Sequence, residues 1–128
     1  MKFKTKTAEF FFDERGFIVV EFLANNEIFD VAEAHEHIRI AKTFINNKKQ
    51  RVLVDLTNSY HVPDAEAKKI LAEFNLKTAE AIIVATLAHK IICTFYIKVL
   101  KTCKANHPVK IFMQKEKAVE WLLNHPNE

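Results

Sequence analysis

Residues Ala81–Leu100 read AIIVATLAHKIICTFYIKVL, and how this stretch folds decides the architecture. Its first five residues, Ala81 to Ala85, are a short apolar run of the kind that forms a buried strand. The continuation is ambiguous. Ile91, Ile92, Phe95, Tyr96, Ile97 and Val99 all favour extended backbone on propensity alone. Length and spacing argue the other way, because Leu87, Ile91, Phe95 and Val99 recur every four residues, which places them on one side of a helix. Leu87–Leu100 is therefore expected to be a helix. That choice makes the segment a strand–helix unit and implies a largely parallel sheet.

Working outward, the same alternation appears on both sides. Val109–Met113 (VKIFM) reads as a last strand, followed by a short helix over Gln114–Leu123 carrying Ala118, Val119, Trp121 and Leu122. Upstream, Asp64–Phe74 predicts a helix with Ala67, Ile70, Leu71 and Phe74 on one face. The preceding Arg51–Leu56 is a β-branched strand, and Thr57–Pro63 a loop. Asp30–Asn46 predicts another helix. Asp30 and Glu33 have the outline of a capping box, and Val31, Ala34, Ile38, Ala41 and Ile45 form its apolar face. Glu9–Leu23 (EFFFDERGFIVVEFL) pairs two aromatic-rich runs around Gly16, the chain's single glycine. A glycine there supplies the positive φ of a hairpin turn with a bulge. Lys2–Thr7 is expected to prolong the hairpin's first strand, its lysines blunting an edge. The reading is one α/β domain over residues 1–128, with a mixed, largely parallel sheet, an N-terminal β-hairpin and the order β-β-α-β-α-β-α-β-α.

Composition is consistent with this. In 128 residues, 49% are hydrophobic and eleven are Phe, enough for one well-filled core. No apolar run reaches the ~18–20 residues of a membrane span, and Met1–Thr7 has no apolar secretory core. The expectation is a cytoplasmic protein with no integral membrane association. The two cysteines, Cys93 and Cys103, lie about 15 Å apart along the predicted helix, too far for a disulfide. Between Thr86 and Lys117 there are seven Lys, one acid and no Arg. This reads as a solvated face, with a weak anion-seeking patch as the alternative.

A single glycine rules out a dinucleotide fingerprint, a P-loop and a nucleophile elbow, each of which needs several. His35 and His37 would project about 200° apart on a helix and cannot share one metal ion. The remaining histidines, His61, His89, His107 and His125, read as scattered exposed residues. The Phe-rich hairpin carries little basic charge between its rings, so it reads as core and not as a nucleic-acid platform. No metal, no cofactor and no nucleic-acid partner is expected. The loop after the RVLVDL strand, with Thr57, Asn58, Ser59, Tyr60, His61 and Asp64, leaves the carboxyl end of a central strand, where open α/β sheets place ligand sites. A plain solvated connection is the alternative reading of this loop.

Taken together, the hairpin, the VLVDL strand with its loop, AIIVATLAHKIICTFYIKVL and PVKIFMQKEKAVEWL resemble a STAS-type domain, the SpoIIAA-like fold of bacterial anti-sigma-factor antagonists. More narrowly, they resemble the small bacterial STAS/Sec14-like proteins. The resemblance implies a central sheet flanked by helices, with binding near the loop after VLVDL. In the sigma-regulating relatives a serine at the start of the next helix is phosphorylated. Here the matching stretch is Pro63-Asp64-Ala65-Glu66, without serine or glycine, so that switch is not expected.

Two functions remain open. One is a non-catalytic regulatory or protein-binding module docking an unidentified protein partner through residues 57–64. The other is a domain binding a small hydrophobic ligand or lipid, as the Sec14-like likeness implies, with the Leu87–Leu100 helix lining the pocket. That helix is apolar nearly all round. Its surplus residues, Cys93, Ile97 and Leu100 with Tyr96 beside them, are expected to be covered by a ligand or by a second copy in a homodimer. An enzyme is the least expected reading.

Overall fold

In the computed structural model, which describes residues 1–45, 48–59, 61–102 and 107–125, six strands form one sheet in chain order, β1-β2-β3-β4-β5-β6. The strands are β1 (Lys2–Lys4), β2 (Ala8–Asp13), β3 (Phe17–Phe22), β4 (Gln50–Asp55), β5 (Lys77–Ile83) and β6 (Val109–Phe112). The helices are α1 (Val31–Phe44), α2 (Ala65–Glu73), α3 (Leu87–Thr102) and α4 (Lys115–Leu123). β1, β2 and β3 pair antiparallel, and β3 to β6 pair parallel. The mixed, largely parallel α/β sheet is the one expected, and Leu87–Thr102 is a helix.

Several details depart from the sequence reading. Lys2–Lys4 does not prolong the hairpin strand. The Thr5–Thr7 corner turns it back as a separate edge strand pairing with Glu9–Phe11, so the sheet gains one strand. The corner is held locally, because Thr5 Oγ1 accepts from the amides of Thr7 and Ala8. β5 starts at Lys77, four residues before the apolar run, because its pairing with β4 extends through Lys77–Glu80, while β6 joins it only from Glu80 onward.

The hairpin forms for the expected reason. Gly16 has φ 102° and its amide donates to the Asp13 carbonyl at 2.8 Å. Parallel crossovers of one hand deposit successive helices on one face of a sheet laid down in chain order. The packing agrees. Phe10, Ile18, Val20, Val52 and Ile82 point towards α1, α2 and α3, while Phe17, Val19, Leu53, Ala81 and Ile83 pack against α4. Arg51 lies on the α4 side, buried. Its guanidinium donates to the carbonyls of Gly16 at 2.9 Å and His125 at 2.9 Å, joining the hairpin turn to the carboxyl end of α4. A cation suits that helix end, where carbonyls lack partners.

Candidate functional site

On the three-helix side the elements do not close completely. A cavity of about 120 Å³ remains between the sheet and α1, α2 and α3. Its floor includes Ile18, Val20, Val52 and Val54, the even-numbered residues of two central strands. Alternation along a strand sends these side chains to one face. The wall from α1 is Ile38, Ala41 and Ile45. The sequence marked those three as the helix's core face. The fully buried stripe is instead Glu33, Ala34, His37 and Ile40, and Val31 is exposed. The helix therefore has two adjacent inward stripes, one packed on the sheet and one facing the void. α2 contributes Leu71 and Lys68, and α3 contributes Ile92, Cys93 and Tyr96. Val62 and Ile92 both line the cavity and are each 41% exposed, so it meets solvent between the β4–α2 loop and α3.

Polar groups enter this apolar space in fixed arrangements. Asp30 caps α1 by accepting from the Glu33 amide at 3.0 Å. Glu33 does not complete the expected capping box. Its carboxylate turns inward and accepts from the Thr7 amide at 3.1 Å and from the Thr7 hydroxyl. His37 Nε2 stands 3.1 Å from that carboxylate and 2.8 Å from Thr7 Oγ1. Burial works against the Glu33 charge, but the bonds from His37, Thr5 and Thr7 outweigh it and hold its pKa at about 2. The His37 ring lies among Phe10, Phe22 and Phe29, with centroids 4.6–5.5 Å away. Burial there pushes its pKa down.

His61 is held just as firmly. Its Nε2 lies 2.8 Å from Asn25 Oδ1, an oxygen that also accepts from the Glu27 amide, so Nε2 carries the proton. Nδ1 then accepts from Ser59 Oγ, whose oxygen also accepts from the His61 amide. This is the neutral imidazole, and burial lowers its pKa in agreement. The third group centres on Glu80, buried in β5, with Lys77 Nζ and His107 Nε2 each 3.1 Å from its Oε1. Burial opposes this carboxylate too, but Lys77 and His107 hold its pKa well below the usual range. Cys93 Sγ faces the cavity, and burial pushes its thiol up to about 11. Tyr96 is raised well above its ordinary value, chiefly by burial.

The histidines are thus the main correction to the sequence reading. His61 and His89 are buried, not exposed, the side chain of His107 is buried as well, and so is His37. The Glu33–His37 spacing of four was the available signal, since it stacks the two on one helical face. Among the described residues no three His, Cys, Asp or Glu side chains are grouped to hold a metal ion. The hairpin rings Phe10 and Phe17 are core residues.

The predicted loop divides in two. Thr57 and Asn58 are exposed, Ser59 and His61 are buried in the network just described, and Tyr60 lies outside the described residues. Asp64 is exposed and serves as the cap of α2, accepting from the Ala67 amide at 2.9 Å. On α3 the surplus apolar face differs from the predicted one. Cys93 points into the core with Tyr96 beside it, Ile97 is half-buried, and the side chain of Leu100 lies outside the described residues. The outward stripe is Leu87, Ile91 and Phe95, each more than half exposed. The sheet covers the face carrying Cys93 because Ile82, Val84 and Leu56 meet it there. Cys103 also lies outside the described residues.

The profile of a domain of unknown function, DUF7793, matches residues 11–126, and the chain belongs to that family. No curated protein matches it. Among solved structures, it is similar to an uncharacterised protein of the DUF3478 family with a SpoIIAA-like fold from Shewanella loihica PV-4. The two share 12% identity at a TM-score of 0.56, over 95% of this chain and 90% of the other. The SpoIIAA-like fold expected from the sequence is therefore shown. Among the described residues no helix is long and apolar enough to cross a membrane.

Proposed function

We propose that this member of the DUF7793 family is a non-catalytic binding domain that takes a small apolar ligand into the cavity between its sheet and α1, α2 and α3. The observation that carries the reading is the cavity itself, about 120 Å³ with apolar walls and a solvent-facing rim at Val62 and Ile92. Close-packed interiors leave few voids larger than a water molecule. A dry apolar cavity of about 150 Å³ is known to admit benzene, so this one suits a single ring or a short alkyl chain. The polar groups around it support binding without chemistry. Glu33, His37 and His61 are committed to structural hydrogen bonds. Cys93, with its thiol pushed up to about 11, is almost entirely un-ionised at neutral pH and a poor nucleophile.

Titration with 1-hexanol, followed by calorimetry and by the thermal midpoint, tests the reading. Binding with a midpoint that rises with concentration is expected. Ala41→Phe fills the void and should abolish both effects while the protein stays folded. No binding by the unsubstituted protein, or equal binding by both, overturns the proposal.

A second reading is protein docking, favoured by the outward stripe Leu87, Ile91 and Phe95 on α3. A continuous apolar face on a helix suits a self-complementary contact about a two-fold axis. Light scattering at micromolar concentration should give a dimeric mass that Phe95→Glu reduces to the monomer. A monomeric mass for the unsubstituted protein removes this reading.

A further inference from the structure

We propose that the cavity selects a monocarboxylate with a short apolar tail, and that Lys68 holds the carboxylate at the rim. The inference rests on the cavity reading above and specifies the ligand's chemistry. Three side chains of fixed charge line the cavity: Lys68, Lys77 and Glu80. Lys77 and Glu80 are paired at 3.1 Å and cancel one another. Lys68, half-buried on α2, has no acidic side chain within 4.0 Å among the described residues. The hydrogen bonds of His61 fix it as the neutral imidazole. Burial lowers the pKa of His37 and His89, the other two lining imidazoles, so among the described residues of the lining Lys68 is the one positive charge without a paired acid.

That pattern discriminates among ligand classes. A cationic ligand is repelled. A neutral one fills the walls and gains nothing from Lys68. A phosphate monoester brings nearly two negative charges and three strong acceptor oxygens, against one ammonium and no guanidinium. A carboxylate brings a single charge, which one ammonium matches. Lys68 lines the cavity and is half-buried, and a lysine's methylene stem can lie along apolar walls while its head seeks a polar partner.

The test compares hexanoate with 1-hexanol by calorimetry at pH 7.5, on the full chain and on Lys68→Met. Hexanoate should bind about tenfold more tightly than hexanol, the scale of one charge-assisted hydrogen bond. Added salt should weaken hexanoate and leave hexanol unchanged. Lys68→Met should erase the preference and keep hexanol binding, which also shows that the variant is folded. Hexanol binding without a hexanoate preference, or a preference that survives Lys68→Met, overturns this inference and leaves the cavity reading standing. Binding of neither probe overturns both.

Discussion

Glu33 and His37 stand one turn apart on α1 with Oε2 and Nε2 separated by 3.1 Å, and Thr7 bonds to both. The pair fastens the corner between β1 and β2 to the first helix, at a depth where an unpaired carboxylate would be costly.

This arrangement sets a pH dependence. Glu33 has a folded pKa of about 2, below the ordinary 4.5. Its stabilisation is present above about pH 4.5 and is lost as pH falls towards 2. His37 and His61 are lowered from 6.5. The unfolded chain binds their protons first, so stability starts to fall once pH drops below about 6.5. Urea midpoints should decline from pH 7.5 to pH 5.5 and decline further by pH 4. In Glu33→Gln the further decline below pH 4.5 should be shallower. Midpoints that are flat across this range would contradict the assignment.

At Gly16, φ of 102° lies where a β-branched side chain is strained. Gly16→Val should cost on the order of 1–3 kcal/mol. Denaturant unfolding reads this directly, and an unchanged midpoint would mean that the turn tolerates a Cβ.

Arg51 joins two distant carbonyl groups with one planar fork. Arg51→Met should lose on the order of 2–3 kcal/mol, since partly buried carbonyls are left without a charged donor. Arg51→Lys should recover only part of this, because a single ammonium lacks the fork's spread of donors. Amide exchange in α4 should quicken in both variants.

Cys93 is buried, with its thiol pushed up to about 11. In a Cys103→Ser background it is the only thiol. Iodoacetamide at pH 8 should label it slowly in the folded protein and rapidly in urea. Fast labelling in the folded state would place the thiol elsewhere.

The sequence by itself determined the alternation of strands and helices from the hairpin to α4, the hairpin turn and the largely parallel sheet, but not the separate edge strand β1. These rest on local chemistry: one glycine at Gly16, Asp30 as a helix cap, and the four-residue spacing of Leu87, Ile91 and Phe95. It also marked the Leu87–Leu100 helix as more apolar than one packed face requires. Only the tertiary structure decided which face was covered. A helix that is apolar nearly all round fits the sheet in more than one rotation, and contacts of Cys93 with Leu56, Ile82 and Val84 select one. The cavity and its polar groups were hidden for the same reason. Glu33, Thr7 and His37, or His61 and Asn25, meet across 26 to 36 residues of chain. Local periodicity carries no information about pairings at that separation, which arise only when the helices dock on the sheet.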